Sequence, residues 1–480
     1  MRAGYLALLV LWAAVRLDAA QPNFIFILSD DQNWNGLSVQ MDPNVATSKS
    51  SYIETPHIEK LAREGARFSQ AYAPASVCSP TRISLQTGKS PAQLHWTKAG
   101  PSYSASDGLK TIPPRSIRDI PQSEVTIAEV LKTAGYGTAH YGKWHIGGGG
   151  PEAHGYDESD GNTGNEDAAQ FRPPNPGDVF GMSERAGMFM ERMAKEGKPF
   201  YVQLSCYPLH FSENALPETI AKYQKKISGG RERRVMRAAI AENLDAGVGK
   251  LLQEVERLGL AKNTYVIYMS DNGGAGGGGK RAGPRARRMA STQPLRGGKG
   301  SLFEGGIRVP LIVRGPGIKA GSVCSTPVVG YDLLPTLCKL AGVKQALPKT
   351  VEGGDFSHLL HGRSAAVKRP REELIFHFPH YQGEPPHSAI RLGDHKLIHY
   401  YEDGRSELFN LKEDLKEQND ISKQYAKRTA ELRERLLRYL KDVNAQRPSP
   451  NPHHVPGKEP EIRGPKRPPG GARKGRSAPP

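Results

Sequence analysis

Asn23-Phe24-Ile25-Phe26-Ile27-Leu28-Ser29-Asp30-Asp31 is an almost unbroken apolar run that stops on two acids. A strand apolar at successive positions is covered on both faces, as the central strands of parallel sheets are. Carboxylates at the end of such a strand are costly to bury unless something cationic meets them. The pattern returns at Thr264-Tyr265-Val266-Ile267-Tyr268-Met269-Ser270-Asp271-Asn272-Gly273-Gly274, again an apolar strand ending in Ser-Asp and a second oxygen-bearing side chain. Two strands with one ending predict an α/β fold with a largely parallel sheet. Its site should lie past the carboxyl ends of the strands, where such sheets hold ligands.

Outward from these two strands, helical and extended patterns alternate. Residues 55–65 predict a helix with Thr55 as N-cap, Pro56 in the first turn and Gly65 as the stop; Ile58, Leu61 and Ala62 share one face. An amphipathic helix over 125–134 precedes a short strand over 137–145, whose alternation would put Lys143 and His145 on one side. The glycine- and acid-rich stretch 147–164 is expected to border the site or to be mobile. A helix over 188–195, a buried strand over 199–205 and a long helix over 233–258 follow, then a strand over 309–313 and a helix over 331–340. Past a basic, loop-like stretch at 362–370, short antiparallel strands are predicted over 374–378, 388–392, 396–401 and 407–409, with a charged helix over 422–440. The expected division is a signal segment over 1–20, a catalytic domain over 21–365, a subdomain over 366–445 and a disordered Pro/Gly/Lys/Arg-rich tail over 446–480.

Composition narrows the class. The 480 residues carry a net charge of +17, concentrated in the tail and in a Gly-rich loop holding Arg and Lys over 280–288. Basic patches attract polyanions, yet no nucleic-acid module such as a paired Cys/His finger is present. Residues 1–20, with Arg2, an apolar run over 5–15 and Ala19-Ala20, read as a secretory signal peptide, too short for a membrane span. No second stretch reaches spanning length, so a secreted or periplasmic protein is expected. The lack of an Asn-x-Ser/Thr sequon suits a bacterial source. Four cysteines make no disulfide scaffold, although Cys324 and Cys338 could pair.

Asp30, Asp31, Asp271 and Asn272 offer only oxygen, which suits a hard cation, Ca²⁺ before Mg²⁺. Arg82, Lys143 and Lys299, with His145 and His210, would face an anion and its transition state. Three runs then stand out: Cys78-Ser79-Pro80-Thr81-Arg82, Gly142-Lys143-Trp144-His145, and Lys299-Gly300-Ser301-Leu302-Phe303-Glu304-Gly305-Gly306-Ile307-Arg308-Val309-Pro310. With them the chain from Asn23 to about Asn444 resembles the formylglycine-dependent sulfatases, whose signature is C-x-P-x-R. Thr81, where Ser or Ala is frequent, and the run Cys206-Tyr207-Pro208-Leu209 before His210 depart mildly from that pattern.

The resemblance implies an alkaline-phosphatase-like core with a small C-terminal subdomain, an antiparallel sheet with a helix. It implies a maturation enzyme that oxidises Cys78 to formylglycine, whose hydrate attacks a sulfate ester and then collapses. It further implies Ca²⁺ on Asp30, Asp31, Asp271, Asn272 and residue 78. Arg82 and Lys143 would hold the hydrate, His145 would take the proton that drives sulfate elimination, and His210 and Lys299 would assist the leaving oxygen. A sulfated carbohydrate is the expected substrate, with His377, His380, Arg391 and the loop 280–288 as candidate contacts beyond the sulfate. The alternatives are a phosphodiesterase or phosphonate hydrolase of the same superfamily, and a non-catalytic binder of anionic glycans.

Overall fold

The alternation resolves into a sheet between two helical layers. The computed structural model describes residues 21–100, 106–210, 214–227, 229, 232–274, 294–363, 365–382 and 384–458. The elements that build the core are β1 (Asn23–Ser29), α1 (Pro56–Glu64), β2 (Ala66–Phe68), α2 (Cys78–Thr87), α3 (Ile127–Lys132), β3 (Gly137–Gly142) and β4 (Glu158–Ser159). They continue with α4 (Val179–Lys195), β5 (Phe200–Ser205), α5 (Glu232–Arg257), β6 (Thr264–Ser270), β7 (Leu311–Arg314), β8 (Ser322–Cys324) and α6 (Leu333–Leu340). The sheet runs β8-β2-β7-β6-β1-β5-β3-β4. β1 lies parallel to both β5 and β6, with Phe24 level with Tyr201 on one side and Tyr265 on the other. β7 alone runs against its neighbours.

Strand alternation divides the core in two. Phe24, Phe26 and Leu28 of β1 pack with Ile83 and Leu85 of α2, Ile127 and Leu131 of α3, and Leu334 and Leu337 of α6. Ile25 and Ile27 point the other way, onto Ile58 and Leu61 of α1, Met182 and Phe189 of α4, and Leu244 and Leu251 of α5. Each such side chain, fully covered, contributes roughly 1.5–3 kcal/mol of transfer free energy. A central strand apolar on both faces is what this three-layer arrangement requires.

After the core, β9 (Leu374–Phe378), β10 (His387–Leu392), β11 (His395–Tyr400) and β12 (Ser406–Asn410) form an antiparallel sheet in chain order, followed by α7 (Ala426–Asp442). One face, with Phe376, Ala389, Ile398 and Phe409, packs on Tyr72, Leu302 and Phe303 of the core. The other, with Ile375, Ile390, Leu397 and Leu408, is covered by Leu432, Leu436 and Leu440 of α7.

The structure departs from the expectations in several places. α4 begins at Val179, well before 188, because its apolar positions Val179, Met182 and Ala186 already face the core. Thr55 stands at the start of α1, but its hydroxyl bonds Ser38, and the Asp245 carboxylate accepts the amides of His57 and Ile58 instead. Cys324 on edge strand β8 and Cys338 within α6 are both free thiols. The tail is not structureless from 446: Ser449–Pro450 pairs antiparallel with Thr111–Ile112, held by main-chain bonds rather than by apolar burial. The signal segment 1–20, the loop 280–288 and residues 459–480 lie outside the described residues. No described helix is long and apolar enough to cross a membrane.

Candidate active site

The register of β1 against β6 sets Ser29 level with Ser270, so the residues that follow each strand emerge side by side. Asp271 donates its amide to the Ser29 carbonyl at 3.0 Å, and Asp31 donates its own to Asp271 Oδ1 at 3.2 Å. Asp31 takes a left-handed backbone (φ 56°), which turns the chain sharply and presents both acids to one point. The repeated strand ending is thus a single cluster of carboxylates.

α2 starts at Cys78, and all ten of its residues are buried. Cys78 Sγ lies 3.6 Å from Asp30 Oδ1 and 3.3 Å from Lys299 Nζ. One turn on, Arg82 reaches Asp271 Oδ2 through Nη2 at 2.8 Å and Nε at 3.1 Å, Asp30 Oδ2 at 3.3 Å and the Lys143 carbonyl at 2.5 Å. The Lys143 ammonium donates to Asp30, and that of Lys299 sits 2.7 Å from Asp31 Oδ1. Asn272 Nδ2 donates to Asp31 Oδ1 at 2.7 Å, while its Oδ1 is buried with no hydrogen-bond partner among the described residues. One oxygen or sulfur atom each from Asp30, Asp31, Cys78 and Asp271 lies within 4.8 Å of the others, and Asp30, Cys78 and His210 form a second such group.

Lys143 and His145 reach the site by a turn, not by strand alternation, because β3 ends at Gly142. Gly142 has φ 87°, and a Cβ there would meet the Ser205 carbonyl at 2.3 Å, so only glycine fits. His145 is left-handed as well (φ 60°), its amide bonded to the Thr163 carbonyl at 2.8 Å. Its ring lies between Ser79 Oγ, 3.2 Å from Nδ1, and Asn165 Nδ2, 3.4 Å from Nε2. Thr163 Oγ1 ties the turn by donating to the Gly142 carbonyl and accepting the Trp144 amide. Ser79, Thr163 and Asn165 were not singled out from the sequence. Ser79 stands inside the cysteine motif, Thr163 at the end of the loop expected to border the site, and Asn165 just past it.

The electrostatics follow from burial and crowding. Burial, and then Asp30, push the Cys78 thiol up to about 12. Asp30 is held well below the carboxylate range: burial works against this, but Lys143, His210 and Arg82 prevail. Asp271 is pushed up to about 6 by burial and by Asp30. Burial lowers His145 to about 2, helped by Lys143 and Arg82, and lowers His210 to about 4 against the pull of Asp30. Both imidazoles are neutral near pH 7. Against the cost of burial, Cys78 and Asp31 hold the Lys299 ammonium above its ordinary range.

The three candidate contacts from the C-terminal subdomain do not join this cluster. His377 is spanned by Ser388 Oγ (2.7 Å) and the Gln446 carbonyl (2.8 Å), and His380 bonds Thr97 Oγ1 at 2.8 Å. Arg391 bonds Tyr72 and Gln70. All three are buried, and these bonds hold the subdomain together and to the core. Beside the cluster, a cavity of about 470 Å³ opens against Ser79 and His145.

Known proteins carry the same organisation. Residues 22–343 match the family described as Sulfatase, and 298–446 the one described as N-sulphoglucosamine sulphohydrolase, C-terminal. A sulfatase of Formosa agariphila is 32% identical over 486 positions, covering 84% of this chain and 85% of that one. Human arylsulfatase A is 30% identical over 442 positions, covering 83% and 78%. The solved structure of Ps i-CgsB in complex with k-i-k-neocarrahexaose superposes with a TM-score of 0.71, at 24% identity and over 88% and 93% of the two chains. That last likeness speaks for the fold. With a family match running from β1 through α6 and a site of this composition at its strand ends, the chain belongs to the sulfatases, hydrolases of sulfuric esters.

Proposed function

We propose that this sulfatase removes sulfate monoesters from carbohydrates, using formylglycine made from Cys78 as nucleophile and Ca²⁺ held by Asp30, Asp31, Asp271, Asn272 and residue 78. The observation that carries the reading is the state of Cys78. Cys78 is the first residue of α2, buried against Asp30 and Lys299, and burial pushes its thiol up, so that as a thiol it is a poor nucleophile. Its neighbours are nonetheless arranged for an anionic substrate, with Arg82, Lys143 and Lys299 converging on three carboxylates. Oxidation of residue 78 to an aldehyde supplies, as its hydrate, the hydroxyl nucleophile that the thiol does not.

The residues fit a hard divalent cation. Three carboxylates share one point, one of them, Asp271, is pushed up to about 6, and Asn272 Oδ1 is buried without a partner among the described residues. An all-oxygen set of protein ligands suits Ca²⁺ better than Mg²⁺, which keeps several waters. When bound, the cation supplies Lewis-acid polarisation of the sulfate. The chain's own residues supply the rest. Arg82, locked to Asp30, Asp271 and the Lys143 carbonyl, fixes the nucleophile's helix against the acids. Lys143 and Lys299 offset the charge of the sulfate. His145, neutral and held by Ser79 and Asn165, accepts the proton released when sulfate leaves residue 78. A bound sulfate sets negative charge beside His210 and favours its protonated form, from which it donates to the departing oxygen together with Lys299.

Carbohydrate as the substrate is supported by the oligosaccharide in the Ps i-CgsB structure and by the polar cavity beside His145. The reading includes a maturation enzyme acting on the Cys78–Arg82 motif and export, through residues 1–20, to the periplasm or beyond. It is tested by mass spectrometry of peptide 68–82 from the native host, then by turnover. Loss of sulfur at residue 78 and hydrazone formation are expected, with a higher kcat/KM on an aryl sulfate than on an aryl phosphate diester. An unmodified thiol, in a host that converts another sulfatase, overturns the nucleophile. The reverse preference makes the protein a phosphodiesterase.

A further inference from the structure

In the sulfate cluster three cations meet three carboxylates, whereas in the cavity beside His145 the carboxylates outnumber the cations. Its lining includes Trp96, Lys98, Arg118 and Asp119 from one stretch of chain and residues of the loop from Asn162 to Asp167 from another. Its volume, about 470 Å³, is that of a small-molecule site. Two cations line it, Lys98 and Arg118, against three carboxylates, Asp119, Glu166 and Asp167. Asp119 Oδ1 accepts the Gly148 amide at 3.1 Å, and Asp167 Oδ2 accepts the Gly164 amide at 2.7 Å. Each carboxylate retains further lone pairs, and Glu166 and Asn162 are exposed on the rim. A carboxylate is an acceptor only, so it matches the hydroxyl hydrogens of a sugar and repels a second anion.

We infer, building on the sulfatase reading above, that this cavity receives the leaving group and selects a sugar whose only anionic group is the sulfate ester being cleaved. Glu166, Asp119 and Asn162 accept from its hydroxyls. Lys98 and Arg118 donate to its neutral oxygens. Among the described residues that line it, carboxylates outnumber cations, and multiply sulfated or uronate-bearing sugars are disfavoured there.

The experiment uses the full-length enzyme with residue 78 shown to be formylglycine. It compares kcat/KM on a monosulfated neutral disaccharide with that on the same disaccharide bearing a second sulfate or a uronate carboxylate. The neutral substrate is expected to be preferred by tenfold or more. In a folded Asp119→Asn, Glu166→Gln double variant that preference is expected to shrink about tenfold, mainly through a higher KM for the neutral sugar. A role in folding alone would lower both substrates together and leave the ratio where it was. Equal or better turnover of the doubly charged sugar by the unmodified enzyme overturns the inference, as does an unchanged ratio in the variant. Failure on every sugar with aryl sulfate still cleaved overturns the pocket alone. Failure on aryl sulfate with formylglycine in place overturns the catalytic reading beneath it.

Discussion

Asp30 is fully buried between the ammonium of Lys143 and the guanidinium of Arg82, and the balance among these three groups governs the site. Lys143→Ala leaves Asp30 with Arg82 alone and removes one of the cations facing the sulfate. A kcat on aryl sulfate lower by on the order of 10²–10³ is expected, since a preorganised donor at a developing charge is worth about that much. Steady-state kinetics beside Lys143→Arg checks it, with the arginine variant in between. The same cluster predicts the effect of metal removal. Chelation should abolish turnover and lower Tm, and Ca²⁺ should restore both more fully than Mg²⁺; a ligand at 100 times its Kd stabilises by about 2.7 kcal/mol. Differential scanning fluorimetry with and without chelator reads this directly, and a Tm indifferent to both ions would refute the Ca²⁺ site.

At the scale of elements, Asp245 of α5 does what Thr55 was expected to do for α1, accepting the amides of His57 and Ile58 at 3.1 and 2.8 Å. Burial outweighs these two bonds and pushes its carboxyl from the ordinary 3.8 up to about 7. Between about pH 4 and 7 the folded protein therefore holds a proton that the unfolded chain has released, and stability falls as pH rises through that window. Asp245→Asn keeps an acceptor, loses the charge and should flatten this slope. Asp245→Ala should cost about 0.5–2 kcal/mol at either end, as a lost cap does. Urea unfolding at pH 5 and pH 8 separates the two. The substitution of Asp245 for Thr55 also shows what the sequence could tell. Asp30, Asp31, Asp271 and Asn272 were legible because adjacent parallel strands with one ending must bring those endings together. Asp245, 188 positions from His57 in the helix it caps, was not, because no local pattern records which helices pack side by side. Asn165 and Thr163 were hidden for the same reason: they act through a turn whose geometry depends on left-handed Gly142 and His145.

At the scale of the whole molecule, the C-terminal subdomain is tied to the active-site side of the core by charge as well as by apolar packing. Lys396 of β11 bridges Glu304, five residues past Lys299, and Glu417, at 2.9 and 2.8 Å, with all three side chains buried. Lys396→Met would strand two carboxylates and is expected to destabilise by about 3–5 kcal/mol, read from the denaturant midpoint. The tail makes a second tie. Asn451 donates through Nδ2 to the carbonyls of Ser106 and Leu109 and through its amide to that of Lys110, and Val455 donates to the Asp107 carbonyl. Nearby, Tyr381 accepts the Thr111 amide, and His380 holds Thr97. These bonds grip the stretch whose two ends bring Lys98 and Arg118 to the cavity beside His145. Each is worth about 0.5–1.5 kcal/mol, so losing the Asn451 and Val455 bonds together should loosen that wall, with those of Tyr381 and His380 left in place and Cys78, Arg82 and Lys299 untouched. Ending the chain at 448 is therefore expected to raise KM for a sulfated sugar several-fold. The kcat on a small aryl sulfate, which needs no such wall, should stay within about twofold. Asn451→Ala should fall between the two. Ending the chain at 458 keeps every one of these bonds and serves as the control. If both truncations behave alike, residues 449–458 are only a passenger; if only the deeper one loses affinity for sugar, they are part of the device that shapes the substrate pocket.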